Sequence, residues 1–179
     1  MRGRDDLEVL IPPEDIQQRC RQLGEQITED YAGESVHVIG VLKGAFMFLS
    51  DLVRHIELEA SIDFLGVSSY GSRRETSGVV RMTSDLSVPI EGRHVLVVED
   101  IIDTGLTMDY LLDNLSTRRP ASLSVCTLLD KATDRHVDVP IDYCGFDIPD
   151  RFVIGYGLDD AEFSRHLPYI GVVPQPDES

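Results

Sequence analysis

The sequence predicts an α/β fold with a mainly parallel sheet flanked by helices, and three observations support this fold class. Short, nearly continuous apolar runs recur along the chain, and such runs are typical of strands that are buried on both faces. Segments with apolar residues at helical spacing lie between several of these runs. No repeat, linker or block of charge divides the 179 residues, so we expect residues 1–179 to form a single domain.

The N-terminal part of the chain begins with a predicted helix. Pro12 and Pro13 favour the start of this helix, and Gly33 favours its end. The apolar face between them consists of Ile16, Cys20, Leu23, Ile27 and Tyr31. Residues 36–42 then predict a buried strand, and residues 45–56 predict a second helix.

The rest of the chain predicts further strands separated by short polar segments. A third helix is predicted from about residue 107 to residue 115. The last apolar segment, residues 168–173, is a candidate edge strand. The other predicted strands are residues 61–70, 79–84, 93–100, 122–130, 141–149 and 152–157.

The chain is strongly acidic, with 16 Lys and Arg against 32 Asp and Glu and a formal net charge of −16. An acidic surface repels polyanions, which disfavours nucleic-acid and membrane partners, although local charge can still hold a small phosphate ligand. The most apolar run, residues 38–49, contains Lys43 and is too short to span a bilayer. Three widely spaced cysteines and the absence of a signal-peptide pattern predict a cytoplasmic protein with unpaired thiols.

The loops that follow the predicted strands are the candidate functional segments. In open α/β sheets, ligands bind beyond the carboxyl ends of the strands. Four such loops carry polar or glycine residues, at residues 42–44, 99–107, 130–134 and 157–160. The chain has no G-x-x-x-x-G-K-[ST] motif and no zinc-type spacing of its five histidines, so neither a P-loop nor a zinc site is predicted.

The sequence VLVVEDIIDTGLTMDYLLDNL, residues 95–115, predicts a phosphate-binding loop. An apolar strand leads into a loop with Thr104, Gly105 and Thr107, and a helix follows. Glycine lets the backbone approach a ligand, and the start of a helix presents unpaired N–H groups and a positive dipole end. The alternative is an ordinary helix that is capped by Asp103 or Thr104.

Three carboxylates, Glu99, Asp100 and Asp103, precede the phosphate-binding loop. Carboxylates beside a phosphate suit a sugar diol and a divalent cation. A carboxylate accepts hydrogen bonds from both hydroxyls, and Mg²⁺ offsets the negative charge. Because the strand, the paired acids, the D-T-G-x-T loop and the helix occur in this order, a site is favoured over exposed acids before a capped helix.

This segment resembles the 5-phosphoribosyl 1-diphosphate (PRPP) motif of type I phosphoribosyltransferases. The segments VLKGAFMFLSDLVR, SSYGS, LLDKATDR and GFDIPDRFVIGYGLDDAEFSRHLPYIGVV are similar to those of the hypoxanthine-guanine branch of that family. The resemblance extends from about residue 36 to residue 173. It implies a twisted parallel sheet, a small hood formed by the chain ends and a mobile lid loop. Leu106 departs from the pattern, because some members have Lys there.

The resemblance implies a role for each residue of the PRPP-binding loops. It makes Asp103 the base near the purine N7, and it assigns the ribose hydroxyls and a magnesium ion to Glu99 and Asp100. Lys43 and Gly44 match the diphosphate loop, in which the peptide before Lys43 is cis. The residues that match the 5′-phosphate loop are Thr104, Gly105, Leu106 and Thr107.

The resemblance also assigns residues outside those loops. Lys131 matches the donor to the purine O6, while Phe152 and Val153 match the ring that stacks on the base and its neighbouring backbone contact. Asp159 matches a ligand of a second magnesium ion. The remaining matches are Arg165, a contact to the diphosphate, and Ser69 and Tyr70, which open a lid at residues 69–78.

The two lysines of the chain support these assignments independently. Lys43 and Lys131 are the only lysines among the 16 basic residues, and both fall at positions that the resemblance assigns to ligands. An ammonium is a compact donor, whereas a guanidinium is a broad planar fork. A tight diphosphate turn and a contact to one carbonyl oxygen both favour the compact group.

The function implied by the resemblance is purine salvage. PRPP and hypoxanthine or guanine would give IMP or GMP and diphosphate, with Mg²⁺ as the cofactor and a homodimer or homotetramer as the assembly. Two alternatives stay open. One is a PRPP-dependent transferase for xanthine, adenine, orotate or uracil, and the other is a nucleotide-sensing, RNA-binding regulator on the same fold. The acidic charge disfavours the RNA binder, and Lys131 favours a 6-oxopurine over adenine.

Overall fold

The computed structural model describes residues 7–70 and 79–174. Two short 3₁₀ turns, Val53–His55 and Ala132–Asp134, accompany the regular elements. The helices are α1 (Pro13–Asp30), α2 (Phe46–Leu52) and α3 (Leu106–Ser116). The strands are β1 (Glu8–Ile11), β2 (Val36–Leu42), β3 (Ala60–Tyr70), β4 (Val79–Ser84), β5 (His94–Ile102), β6 (Ser122–Asp130), β7 (Tyr143–Asp147), β8 (Val153–Ile154) and β9 (Ile170–Val172).

The main sheet has six strands in the order β4-β3-β2-β5-β6-β7. Strands β3, β2, β5, β6 and β7 are parallel neighbours, and only β4 at one edge pairs antiparallel, with β3. This confirms the predicted α/β class with a mainly parallel sheet. The strand order reverses between β2 and β5. Because these two central strands are parallel, the loops that follow them lie at the same end of the sheet.

The two faces of the main sheet bury separate halves of the core. Leu96 and Val98 of β5 face the cluster that contains α1 and α2, whereas Val95 and Val97 face the cluster that contains α3. All four side chains are fully buried. A strand covered on both faces needs apolar residues at every position, which explains why the sequence shows an unbroken apolar run.

A second, three-stranded sheet in the order β1-β9-β8 joins the two ends of the chain. It corresponds to the small hood that the resemblance implied. Strand β9 lies at the centre of this sheet, so the prediction of an edge strand at 168–173 was wrong. Its position depends on pairing with β1, which lies some 160 residues earlier in the sequence and was not predicted.

Four predicted elements are shorter in the structure than in the sequence analysis. The strand predicted at residues 141–149 spans Tyr143–Asp147, and the one predicted at 168–173 spans Ile170–Val172. Helix α2 ends at Leu52, and a 3₁₀ turn replaces its predicted last turn, as is common at helix ends. Strand β8 ends at Ile154, because Gly155, Tyr156 and Gly157 all have positive φ angles and turn the chain away from the sheet.

Two composition-based expectations can be compared with the described residues. All three cysteines have free thiols, and Cys20 and Cys126 are buried. None of the helices in residues 7–70 and 79–174 combines the length and hydropathy that a membrane span requires.

Candidate active site

The candidate active site lies beyond the carboxyl ends of the central parallel strands. A cavity of about 90 Å³ is lined by the last part of β5, including Glu99, by the loop after β5 and by the start of α3. The loop after β2 carries Lys43 and Gly44, and Lys131 directly follows β6. Because these strands are parallel neighbours, residues that are distant in sequence face the same edge of the sheet.

Glu99 and Asp100 form a buried pair of carboxylates, each 8% exposed. The backbone N–H of Asp100 donates to Glu99 Oε1 at 3.2 Å, and that of Ile101 donates to Asp100 Oδ1 at 3.0 Å. Burial raises the pKa of Glu99 well above its usual range, and the charge of Asp100 raises it further. Burial also raises the pKa of Asp100. Two acids held together out of water favour a partner that brings positive charge or hydroxyl donors.

Gly44 brings the loop after β2 against this carboxylate pair. A Cβ atom at Gly44 would collide with the carboxylate of Asp100, so this close approach requires glycine. The peptide between Leu42 and Lys43 is cis, as the resemblance implied. The carbonyl of Gly44 in turn packs against Gly157, where a Cβ atom would meet it. The loop after β2 is thus packed between Asp100 of β5 and the loop after β8.

Helix α3 begins after a glycine that cannot supply a side-chain cap. Gly105 occupies the N-cap position with a φ of 85°, and no side chain forms a capping hydrogen bond there. The first residue of the helix is Leu106, one position earlier than predicted. The N–H of Leu106 donates to the Thr104 hydroxyl at 3.4 Å, so the capping alternative holds in part for Thr104. The other N–H groups of the first turn have no side-chain partner at the N-cap and remain suited to an anion.

Contacts from the loop after β6 hold the predicted phosphate-binding loop in place. Arg135 forms an ion pair with Asp130, and its Nε donates to the carbonyl of Asp103 at 3.0 Å. The N–H groups of His136 and Val137 donate to the carbonyl of Thr104 at 2.9 and 3.1 Å. These contacts hold the loop backbone through its carbonyl groups and do not engage its N–H groups.

Lys131 and Asp103 lie together at the base of the site. The Lys131 ammonium is 3.2 Å from Asp103 Oδ2 and 2.9 Å from Asp150 Oδ1, and the Lys131 side chain is only 11% exposed. Burial alone would lower the pKa of Lys131, but the hydrogen bonds and charges of Asp150 and Asp103 outweigh it and raise that pKa. The lysine is therefore a protonated donor at neutral pH, held next to a carboxylate.

The loop after β8 places charged residues beside Lys43. The Lys43 ammonium lies 2.7 Å from Glu162 Oε2. Arg165 lies 3.0 Å from Asp159 Oδ1 and donates to the carbonyl of Gly157 at 2.7 Å. Lys43 and Arg165 thus belong to one charged cluster at the mouth of the site, although 122 positions separate them in the numbering.

Phe152 is 42% exposed, although a phenylalanine that precedes a strand usually packs in the core. Val153 is buried in β8, and the N–H of Val173 donates to the carbonyl of Phe152 at 3.0 Å. The backbone is therefore fixed by the small sheet while the ring remains accessible. This combination is suited to a flat apolar ligand.

Part of the predicted lid lies outside the described residues. The backbone of Ser69 and Tyr70 ends β3 and pairs with β4. Residues 71–78 of the predicted lid fall outside the ranges that the structure describes.

Three residues of this site were not found from the sequence. Asp150, Glu162 and Arg135 each pair with a residue that the resemblance assigned or with its loop. In the sequence they belong to polar loops, where charged side chains are usually solvated. The I-P-D-R-F spacing, which puts Asp150 two positions before Phe152, was the one available signal for Asp150.

The chain matches the phosphoribosyl transferase domain family over residues 13–161. It belongs to this family. The hypoxanthine phosphoribosyltransferase of Haemophilus influenzae is 49% identical over 170 residues, which cover 93% of this chain and 95% of that protein. The enzyme of the same name from Escherichia coli is 48% identical and covers 96% of this chain and 98% of its own.

Solved structures of the phosphoribosyl transferase domain family share the fold. A hypoxanthine-guanine phosphoribosyltransferase from Bacillus anthracis superposes with a TM-score of 0.89 at 48% identity, covering 93% of this chain and 98% of that one. A hypoxanthine phosphoribosyltransferase from Staphylococcus aureus gives a TM-score of 0.91 at 46% identity, covering 97% and 96% of the two chains. These findings confirm the family and the fold that the sequence motifs implied.

Proposed function

We propose that the chain transfers the 5-phosphoribosyl group of PRPP to N9 of hypoxanthine or guanine and releases IMP or GMP and diphosphate. The observation that carries this proposal is the position of the Lys131 ammonium, 3.2 Å from Asp103 and at the sheet edge that also holds the phosphate-binding loop. A purine whose N7 faces Asp103 then presents its O6 to Lys131. The names of the similar proteins support the same reaction.

In this proposal, the ribose 5-phosphate part of PRPP binds at the loop before α3. The 5′-phosphate accepts hydrogen bonds from the N–H groups and hydroxyls of Thr104, Gly105, Leu106 and Thr107. The carboxylates of Glu99 and Asp100 accept hydrogen bonds from the two ribose hydroxyls. Since backbone groups supply most of the phosphate contacts, Leu106 in place of a lysine weakens the electrostatic attraction without removing the site.

The buried carboxylates fit a magnesium ion. In the described part of the chain, the oxygens of Glu99, Asp100 and Asp159 do not gather into a single three-ligand group. This suits two separate ions, one at Glu99 and Asp100 and one at Asp159, because Mg²⁺ keeps several waters and substrate oxygens as ligands. When bound, Mg²⁺ supplies positive charge that stabilises the diphosphate oxygens as they leave.

The base-binding part of the proposal uses Lys131, Asp103, Phe152 and Val153. The Lys131 ammonium donates to the purine O6, and the exposed ring of Phe152 stacks on the base. The backbone of Val153, held in the small sheet, contacts the base edge. Adenine is disfavoured because its 6-amino group is a donor and would face the ammonium of Lys131.

The leaving diphosphate is assigned to Lys43, Gly44 and Arg165. The bond between the anomeric carbon and the diphosphate oxygen breaks as N9 of the purine forms the new bond, and positive charge develops on the ribose. Asp103 accepts the purine proton in this direction. Because water would capture the ribose cation, a lid that excludes solvent is proposed, and Ser69 and Tyr70 are its first residues.

The cellular location and the assembly of the protein are also part of the proposal. The three free thiols support a cytoplasmic location. We propose a dimer or a tetramer as the assembly, on the resemblance to the family alone.

An assay of nucleotide formation tests the proposed function. The purified protein is incubated with PRPP, Mg²⁺ and each of hypoxanthine, guanine, xanthine, adenine, orotate and uracil, and the product nucleotide is quantified. We expect IMP from hypoxanthine and GMP from guanine, together with diphosphate. A nucleotide formed from orotate or uracil alone would contradict the assignment to purine salvage, and no product from any base would contradict the enzymatic function.

A further inference from the structure

Asp150 lies next to Lys131 and has no part in the chemistry described above. The Asp150 carboxylate is 2.9 Å from the Lys131 ammonium, a shorter distance than the 3.2 Å to Asp103. The Lys131 side chain is 11% exposed, whereas that of Asp150 is 56% exposed. The buried cation is therefore contacted by an exposed carboxylate from a different loop than that of Asp103.

The turn that carries Asp150 is anchored at both ends. Before it, Ile148 is 7% exposed, and its N–H donates to the carbonyl of Asp130 at 2.9 Å. After it, the Arg151 guanidinium lies 3.0 Å from Glu8 of β1. Phe152 directly follows. The position of Asp150 is consequently set by backbone contacts to the main sheet and by an ion pair to the small sheet.

Two carboxylates around one ammonium have a geometric consequence. If Asp103 were its only charged partner, the ammonium of Lys131 would be drawn onto the carboxylate that has to face the purine N7. Asp150 provides an attraction from outside the N7 position, so the ammonium is drawn toward Asp150 as well as toward Asp103. When a purine engages Asp103, Asp150 still holds the lysine and still compensates its charge.

We propose that Asp150 is a positioning residue that holds the Lys131 ammonium where the purine 6-oxo group binds. It acts through Lys131 and does not touch the reacting atoms. This inference rests on the proposed function and deepens it, because it assigns part of the preference for 6-oxopurines to a residue outside the PRPP motif.

A double-mutant cycle on IMP binding tests this role. Isothermal titration calorimetry measures the Kd for IMP in the wild type, Asp150→Asn, Lys131→Met and the protein with both substitutions. If Asp150 acts through Lys131, Asp150→Asn weakens IMP binding about tenfold in the wild-type background, since a hydrogen bond to a charged group is worth about that factor. In the Lys131→Met background the same substitution changes the Kd by less than about twofold.

Three controls separate this role from a general effect on folding. Asp113→Asn makes the same charge change at an exposed position of α3 and is expected to leave IMP binding unchanged. Thermal melts report whether each variant folds. The KM for PRPP is expected to stay at the wild-type value in Asp150→Asn, because Asp150 is not assigned to the ribose, phosphate or diphosphate.

The outcomes distinguish this inference from the proposed function. If the wild type forms no IMP from hypoxanthine and PRPP, the proposed function fails and the inference fails with it. If the wild type forms IMP, an equal loss of affinity from Asp150→Asn in both backgrounds contradicts the inference alone. Unchanged IMP binding in Asp150→Asn would contradict it as well.

Discussion

The ammonium of Lys43 lies 2.7 Å from the carboxylate of Glu162, although 119 residues separate them in the sequence. The same carboxylate is 3.7 Å from Arg165. The hydrogen bond from Lys43 and its positive charge hold the pKa of Glu162 below its usual range. One carboxylate thus lies against both cations that are proposed to receive the diphosphate of PRPP, so the diphosphate has to displace it.

Glu162→Gln is therefore expected to lower the KM for PRPP. Because Lys43 and Glu162 are both well exposed to solvent, the effect is small, at most about fivefold. Steady-state kinetics with PRPP as the varied substrate measures it, and Glu59→Gln, at an exposed position next to β3, is the matched control. A raised KM for PRPP in Glu162→Gln would instead mean that Glu162 assists binding.

Lys131→Met is expected to reduce activity with hypoxanthine. The loss of the donor to O6 lowers kcat/KM by about tenfold to 100-fold. The wild type is expected to use adenine negligibly, because the 6-amino group and the lysine are both donors. Lys131→Arg is the control, because it keeps the positive charge but replaces the compact ammonium with a planar guanidinium. We expect its activity to lie between those of the wild type and Lys131→Met. Comparable turnover of adenine and hypoxanthine by the wild type would refute this assignment.

Glu99→Gln and Asp100→Asn are expected to raise the concentrations of PRPP and Mg²⁺ that half-saturate the enzyme. Each amide keeps the size of the side chain but weakens the contacts to the ribose hydroxyls and the cation, by about tenfold or more. The ratio of kcat/KM for hypoxanthine to that for guanine stays at its wild-type value. A changed base preference with an unaltered PRPP requirement would show that these acids face the base.

Asp63 is expected to make stability depend on pH. Burial alone would raise its pKa, but hydrogen bonds from the N–H of Phe64 and from Ser87 outweigh this and lower it. The distances are 2.8 Å from both N–H groups and 2.9 Å from the Ser87 hydroxyl. A lowered pKa in the folded state means that the ionised Asp63 stabilises the fold above the ordinary carboxyl pKa of about 4, and that this contribution is lost as the pH falls through the lowered value.

Asp63→Asn is therefore expected to lower the free energy of unfolding by about 1–3 kcal/mol at pH 7. The difference from the wild type shrinks below about pH 4. Urea unfolding of both proteins at several pH values measures it. A difference that stays constant down to pH 3 would argue against an ionic contribution from Asp63.

Three strands were predicted with their observed bounds: β2 at residues 36–42, β4 at 79–84 and β6 at 122–130. Strands β2 and β6 lie inside the main sheet and β4 lies at its edge, so local apolar patterning located strands in both environments. The small sheet was located less well. Its central strand, β9, pairs with β1 at the other end of the chain. The residues near either strand do not indicate this pairing.

The residues of the candidate site also differ in how far the sequence predicts them. Those in the loop after β5 could be predicted, because the loop, its acids and its helix are contiguous in sequence. Asp150 and Glu162 could not, because their importance arises only from the distance to Lys131 and Lys43 in the folded chain. A carboxylate in a polar loop has no local feature that distinguishes a paired side chain from a solvated one.

Asp103 is the residue on which the proposed proton transfer depends. Its carboxylate lies 3.2 Å from Lys131, it directly precedes the predicted phosphate-binding loop, and the N-cap residue of α3 is Gly105 and not Asp103. General acid–base catalysis is typically worth about 10²–10⁴ in rate. Asp103→Asn is expected to slow the chemical step by a factor in this range. The melting temperature stays close to that of the wild type, and the affinity for IMP falls far less than the turnover does.

Single-turnover kinetics of Asp103→Asn with hypoxanthine and PRPP is the most direct measurement of the proposed chemistry. Enzyme in excess over hypoxanthine isolates the transfer step, and a thermal melt of the same preparation confirms folding. We expect slow IMP formation in a well-folded protein. Transfer at the wild-type rate in Asp103→Asn would contradict the assignment of Asp103 as the proton acceptor.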